Sequence, residues 1–499
     1  VTVEISQRRY ALYIDGEDVE PVSDEYLESI NPTTGLAWYE LAHGGAEDVD
    51  KAVRAARRAL EDPRWRDITP TARARMLRRV GELAAEHADE TALVETTDNG
   101  KLIREVRAQH RALQNTWEYY AGWPERMNGS VVPTDANTHN YLTPEPVGVV
   151  AAIVPWNSPL PIACNKLAPA LAAGNTVVIK PSEHASAAVI DFVKLLEEAG
   201  IPPGVVNVVT GLGSSTGAAL VEHPGVDLIS FTGGTVTGRW IAERAGRRPI
   251  RTILELGGKS PNIVFADADP ASAANGIMAG IFAAAGQSCV AGSRCFLHED
   301  IYEDVLSLVE QRAREIRLGD PRDDETDIGP VAFKEHMERV LGYIDRGREE
   351  GGVVRFGGER AQDGALADGF FIRPTVFENV NNDMQIAREE IFGPVLSVLR
   401  FRDEDEVVRL ANDTEYGLAA GVWTRTLTRA HRVASQLNAG TVWVNTYRAL
   451  SPLSPFGGFK LSGYGKEGGE VVMHEYTRLK SVWVNLSEEP VGDPFVMRI

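Results

Sequence analysis

Cysteine is scarce, with three in 499 residues. Cys164, Cys289 and Cys295 cannot frame a chain of this length with disulfides, so reduced thiols and a cytoplasmic compartment are expected. Long apolar runs are missing as well. The most apolar stretch, VGVVAAIV at 147 to 154, falls far short of the roughly 20 residues that cross a bilayer, so no membrane partner is expected. The opening VTVEISQRRY shows no apolar core of a signal peptide. Positive charge is in deficit: 51 Lys and Arg stand against 71 Asp and Glu, a net charge of −20. Such a field repels a phosphate backbone and argues against nucleic acid as a partner. No segment is of low complexity and none repeats with a fixed period.

What is present is ordinary for a water-soluble protein, at 43% hydrophobic and 24% charged residues. The length exceeds one core and predicts two or three domains. Residues 1 to 45 read as a strand-rich arm with a hairpin at Asp15-Gly16. Helical periodicity begins at Ala46, where Val49, Ala52, Val53, Ala56 and Leu60 share a face. It continues to Trp123 with a break at Asn99-Gly100. Residues 124 to 146 are polar and extended. From Val147 strands alternate with helices of about 10 to 15 residues, which predicts a parallel sheet covered on both faces. A second α/β block follows from Ser260 to about Gly458. The tail, HEYTRLKSVWVN, alternates as an edge strand, and a bare edge calls for a partner copy.

Chemistry concentrates in three stretches. FAAAGQSCVAGSRC at 282 to 295 surrounds Cys289 with small residues, as a nucleophile approached by a carbonyl requires. ILELGGKSPNIVF offers Glu255 beside a Gly-Gly turn, and VPWNSP offers the amide of Asn157. Each has a bland reading: a lone Cys is usually a small buried hydrophobe, which is the reading given to Cys164 and Cys295. Asn before Ser-Pro forms turns, and Glu beside Gly-Gly is usually solvated. Together they supply a nucleophile, a base for water and an oxyanion donor. Two further loops suit a dinucleotide. Lys180 and Glu183 follow an apolar strand, where they can bond ribose hydroxyls. Gly233 and Gly234 open a helix whose free N–H groups suit a pyrophosphate. This is not the G-x-G-x-x-G fingerprint. The loop at 211 to 217, with Gly213, is an alternative anion site.

VPWNSP, VIKPSE, FTGGTVTG, LELGGKSPNIVF, GQSC, EEIFGPVL, WVN and PFGGFKLSGYGKEGG stand in an order that resembles the NAD(P)-dependent aldehyde dehydrogenase superfamily. The likeness runs from SINPTTG to TRLKSVWVN. It implies an α/β fold: a Rossmann-like NAD-binding domain at 1–123 and 144–258, an α/β catalytic domain at 259–458, and a small β oligomerisation arm and tail at 124–143 and 470–499. It implies Cys289 as nucleophile, Asn157 as oxyanion donor, Glu255 as base for the deacylating water, and Glu467 as a proton relay. Lys180 and Glu183 would hold the adenosine ribose. Glu390 and Phe392 would position the nicotinamide half. Pro155, Trp156, Gly213, Phe231, Gly233, Gly234 and Leu256 complete the cofactor set. No metal is implied.

The same resemblance sorts the alternatives. Glu255 favours hydrolysis over the CoA-acylating branch, which typically lacks this carboxylate. Retention of Cys289, Glu255 and Asn157 speaks against a non-catalytic NAD-binding descendant. An alcohol or hydroxy-acid dehydrogenase would not explain GQSC, ELGG and PWN together. Glu183 favours NAD, with NADP as the alternative, because a carboxylate repels a 2′-phosphate. Family members acting on hydrophobic aldehydes often carry aromatics where this chain has Ser158 and Asn165, which implies a wider, more polar tunnel. Trp117, Tyr447, Leu450 and Phe456 are candidates to line it. Arg448 is a candidate for pairing with a carboxylate-bearing, semialdehyde-like substrate, or else a surface or oligomer-contact arginine. The expected partners are a small aldehyde and further copies of the chain, as dimer or tetramer.

Overall fold

The computed structural model describes residues 8–496. The alternation of apolar strands and helices produces two sheets. In the first, five strands run parallel in the spatial order Arg251–Glu255, Leu228–Thr232, Val149–Ile153, Thr176–Lys180 and Val206–Val208. Leu12–Ile14 and Glu17–Val19 extend one end antiparallel. Gly463–Tyr464 closes the other end against Leu254 and Glu255. Strands buried on both faces read as continuous Val, Ile and Ala, as these do.

The second sheet has the order Val353–Phe356, Thr375–Glu378, Val395–Phe401, Arg294–His298, Pro261–Val264, Ala419–Trp423 and Thr441–Val444. Only its first strand is antiparallel. A third, antiparallel sheet joins Thr477–Asn485, Thr138–Pro146 and Ser130–Val132. Among the described residues no helix is long and apolar enough to cross a membrane, and no His, Cys, Asp and Glu cluster suits a metal ion.

The entry arm follows its sequence signals. Asp15 (φ 57°) and Gly16 (φ 86°) both turn left-handed between the two hairpin strands, as a two-residue hairpin loop demands. The helix Ala88–Asn99 stops at left-handed Gly100, whose missing Cβ would meet Pro330. Two boundaries differ from the sequence reading. Strand pairing of the arm extends through Pro146 rather than ending at 143, because Thr477–Asn485 pairs along its full length. Gly463–Tyr464, past the expected limit of the second domain, returns to the first sheet. Residues 1–7 and 497–499 of the assigned ranges lie outside the described residues.

The helix Ile103–Ala121 bridges the two sheets. Its face Leu113, Trp117 and Tyr120 is buried in the first core. Its first turn meets the second domain, where the Ile103 N–H donates to the Pro321 carbonyl at 2.8 Å and Arg104 pairs with Asp327 at 3.4 Å.

Candidate active site

Parallel sheets place their loops at the carboxyl ends of the strands, and the predicted residues emerge there. Glu255 is the last residue of its strand. Asn157 follows Val149–Ile153 by four residues and precedes the helix Pro159–Ala172. The amide of Asn157 donates to the Gln287 carbonyl at 2.9 Å, tying this loop to the one that carries Cys289. Gln287 in turn accepts from the Ala332 N–H at 2.9 Å.

The approach to Cys289 is conformationally unusual. Ala284, Ala285 and Gly286 are consecutively left-handed at φ 52°, 53° and 73°. Such backbone costs an alanine about 1–2 kcal/mol. Small side chains let the turn press on its neighbours: a Cβ on Gly286 would stand 2.1 Å from the Gly393 carbonyl, and one on Gly258 would stand 2.6 Å from the Cys289 carbonyl. Cys289 itself is half-buried, whereas Cys164 and Cys295 are fully buried, in line with their reading as small hydrophobes. Burial, with the charges of Glu390 and Glu255, pushes the Cys289 thiol up to about 12, while Arg448 pulls it down. Both carboxylates and the guanidinium therefore lie within electrostatic reach of the sulfur.

Glu255 is buried, and neither carboxyl oxygen has a hydrogen-bond partner. Burial, reinforced by the charge of Glu467, holds its carboxyl well above the usual range, against the pull of Lys166 and Lys466. Glu467 is buried beside it, paired with the fully buried Lys166, whose ammonium also donates to Ser230 at 3.0 Å. Phe456 and Glu467 exchange backbone bonds, which fixes the carboxylate's base. Lys166 was not singled out from the sequence, although a lone lysine inside the apolar helix PIACNKLAPALAAG was a signal.

A second group of residues stands at the carboxyl ends of strands of the first sheet. Lys180 is buried, which lowers its ammonium below the ordinary lysine range. It stands 3.4 Å from Glu183. Burial opposes ionisation of Glu183, yet Lys180 outweighs it and keeps the carboxyl below the usual range. Gly233 has no room for a side chain, because a Cβ would stand 2.5 Å from the Phe231 ring. Gly234 caps the helix Thr235–Arg247 without a side-chain bond, and open space lies beside it. Gly213 likewise borders open space, and its loop packs on Lys180 through Gly217. Leu256 fills the gap left by Gly238.

Trp156, next to half-buried Pro155, packs edge-on against Phe392 at 5.3 Å and lies 5.2 Å from His336. His336 bonds the Phe392 carbonyl at 2.7 Å and holds that residue in its left-handed conformation, φ 62°. Sequence reasoning missed His336. Glu390 accepts from the Gly258 N–H at 2.9 Å. Burial pushes its carboxyl up to about 7.

The pocket candidates disperse. Trp117 is fully buried in the first core, beside Phe192 and Gly81, and offers no surface to a substrate. Its indole, read as a lining group, instead fills space between helices. Leu450 is largely exposed at 64%. Tyr447 is wedged behind the Cys289 loop, its hydroxyl donating to the Val290 carbonyl at 3.1 Å. Asn165 is half-buried one residue before Lys166, and Phe456 is half-buried at the Glu467 bridge. Ser158 accepts from buried Lys101 at 2.8 Å. Arg448 lies 3.4 Å from Glu105.

Asn157 is thus bonded to the loop that carries Cys289, and the unpartnered Glu255 carboxyl bears electrostatically on the same thiol. Known proteins share this architecture. The chain is 45% identical over 98% of its length to the whole of a (Z)-2-((N-methylformamido)methylene)-5-hydroxybutyrolactone dehydrogenase of Acinetobacter baylyi. It is 42% identical over 96% of its length to betaine aldehyde dehydrogenase of Bacillus subtilis, covering 98% of that protein. An aldehyde dehydrogenase of Bacillus cereus, solved as its NAD+ complex, superposes with a TM-score of 0.94 at 43% identity, over 96% of this chain and 97% of that one. The profile of the aldehyde dehydrogenase family matches residues 19–482, and the chain belongs to that family.

Proposed function

We infer that the protein oxidises an aldehyde to a free carboxylic acid, with NAD as hydride acceptor, through a thioester on Cys289. The observation that carries the reading is the Glu255 carboxyl, buried without a partner and within electrostatic reach of the Cys289 sulfur. Buried acids without partners are costly and are kept where chemistry needs a base.

The residues at these strand ends fit a dinucleotide. The open, uncapped helix start at Gly234 suits a pyrophosphate, and the Lys180–Glu183 pair suits a ribose. Glu183 near that sugar favours NAD over its 2′-phosphorylated form. Glu390 and Phe392, beside Trp156, would hold the nicotinamide end. When bound, NAD supplies the acceptor for the hydride that leaves the aldehyde carbon.

The chain's own residues do the rest. At neutral pH the Cys289 thiol is protonated in this arrangement, so it needs a base to become a nucleophile. Glu255, with its elevated proton affinity, is suited to that task and later to drawing a proton from water. Attack of the sulfur on the carbonyl forms an alkoxide. The Asn157 amide spends one N–H on Gln287 and keeps a second for that oxygen. After oxidation a thioester remains, and water deprotonated by Glu255 cleaves its C–S bond, releasing the acid and the thiol. Glu467, paired with Lys166, would pass the proton outward. A polar aldehyde, including one that bears a carboxylate, suits the Ser158 and Arg448 surroundings. The unpaired strands of the arm support a homo-oligomer.

The test is NADH formation with a panel of aliphatic, amino- and carboxy-aldehydes, with and without coenzyme A, beside Cys289→Ala. Turnover without coenzyme A is expected, together with its loss by at least about 10³-fold in the variant. Turnover only with coenzyme A would overturn the role given to Glu255.

A further inference from the structure

Beside Ser158, the residue after Asn157, lies a charged cluster that the sequence did not announce. Lys101 is buried at the end of the turn that follows Gly100. Its ammonium donates to Ser158, next to Asn157, at 2.8 Å and to Gln109 at 2.6 Å. Glu105, one helical turn on, offers a single oxygen, Oε1, to three groups. Gln109 donates to it at 3.2 Å, Arg448 stands at 3.4 Å and Lys101 at 3.9 Å. Arg448 comes from the second domain, beside Tyr447, which rests on Val290 next to the nucleophile. Among the described residues its other hydrogen bond is to the Ala279 carbonyl at 3.5 Å. Its backbone is held left-handed at φ 61°, so the guanidinium is aimed by the loop.

Two features of this cluster matter. Two cations, Lys101 and Arg448, share one carboxylate oxygen, Glu105 Oε1. The guanidinium carries five N–H donors and, among the described residues, makes two long hydrogen bonds. Arginine that is structurally committed usually forms a short, bidentate pair with its carboxylate. Arg448 is held loosely by a carboxylate that is partly exposed at 23%. We propose that Glu105 is a specificity-determining residue: its carboxylate occupies, between Lys101 and Arg448, the place that the distal carboxylate of an ω-carboxyaldehyde takes when it binds. This rests on the aldehyde-oxidising reading of the Cys289 site and narrows its substrate class to aldehydes with a remote anion. A quaternary-ammonium aldehyde would meet two cations, Lys101 and Arg448, and is disfavoured. Glu105 acts as an internal competitor, so its removal sharpens the selection of anionic substrates.

The experiment compares 4-oxobutanoate with butanal, which has the same carbon count and no charge, on the full chain with NAD. In Glu105→Gln the KM for 4-oxobutanoate is expected to fall about tenfold while that for butanal stays within about twofold, the scale of one exchanged charge contact. In Arg448→Gln the ratio of the 4-oxobutanoate KM to the butanal KM is expected to rise about tenfold. Equal shifts for both aldehydes in Glu105→Gln, or a rise for 4-oxobutanoate, overturn the proposal. An unchanged ratio in Arg448→Gln overturns it even if Glu105→Gln fails to fold. Oxidation of neither aldehyde by the unaltered protein would instead sink the reading of the Cys289 site itself.

Discussion

Glu255 sets function against stability in one side chain. Its carboxyl is buried, has no partner, and is held well above the ordinary range by burial and by Glu467. A group with a raised folded pKa favours the fold fully below its unfolded pKa, and that contribution is lost as pH rises through the folded value. Folding is therefore penalised by this residue on the neutral and alkaline side. Glu255→Gln removes the penalty and keeps the shape. A thermal scan should show a midpoint higher by about 2 °C at pH 8 and unchanged at pH 4. Turnover should fall by about 10²–10⁴-fold, the usual contribution of a positioned base. In the unaltered enzyme the rate should climb with pH as Glu255 ionises, and that rising limb should vanish from the residual activity of the variant.

Individual residues were unevenly legible in the sequence. Cys289, Glu255 and Asn157 stood out only as a set, because each alone has an ordinary reading and it was GQSC, ELGG and PWN together, in order, that resembled the family. Lys101, Glu105, Lys166 and His336 did not, because their significance lies in partners 8 to 343 positions away along the chain. Trp117 misled for the converse reason: an aromatic on a helix says nothing about whether its face meets a tunnel or the core.

At the scale of elements, the loop Phe282–Gly292 is seated by what its residues omit. Gly286 is left-handed, and its missing Cβ faces the Gly393 carbonyl at 2.1 Å. Gly286→Ala meets two penalties, the left-handed backbone and a clash with main chain that cannot rotate away. Together these cost about 2–4 kcal/mol. The loop can escape only by lifting from Gly393, which carries Cys289 away from Asn157. The expected result is a loss of at least about 10²-fold in kcat, the scale of an ångström's misplacement. Iodoacetamide labelling of Cys289 should quicken at the same time, because the thiol becomes more exposed. Labelling that is unchanged alongside a lost kcat would show that the loop stays seated. The double glycines at 233–234 and 257–258 were readable as turns. That a Cβ on Gly257 would meet Glu390 at 2.1 Å was not, because contact between distant strands leaves no periodic mark.

At the scale of the whole molecule, the alternation from Val147 onward specified a parallel sheet and, from Ser260, a second α/β block, since buried strands must be apolar throughout and each crossover requires a helix. It did not specify that Gly463–Tyr464 returns to the first sheet, because a two-residue strand carries no pattern. The third sheet remains incomplete within one chain. Its outer strands, Ser130–Val132 and Thr477–Asn485, each have one unpaired edge. Val131, Leu479, Trp483 and Leu486 are between 58% and 68% exposed on it. A strand edge with apolar side chains invites pairing with another copy. The net charge of −20 opposes non-specific clustering, so association there must be specific in register. Replacing Leu479 and Trp483 together with Glu places two anions on that surface and leaves both active-site loops untouched. Light scattering should then report a lower mass than for the unaltered protein, falling further on dilution, while the far-ultraviolet circular dichroism stays the same. An unchanged mass would move the association surface elsewhere on the chain. Retained turnover by the smaller species would show that the Cys289 site is completed within one copy, as the bridging of its two domains by the helix Ile103–Ala121 leads one to expect.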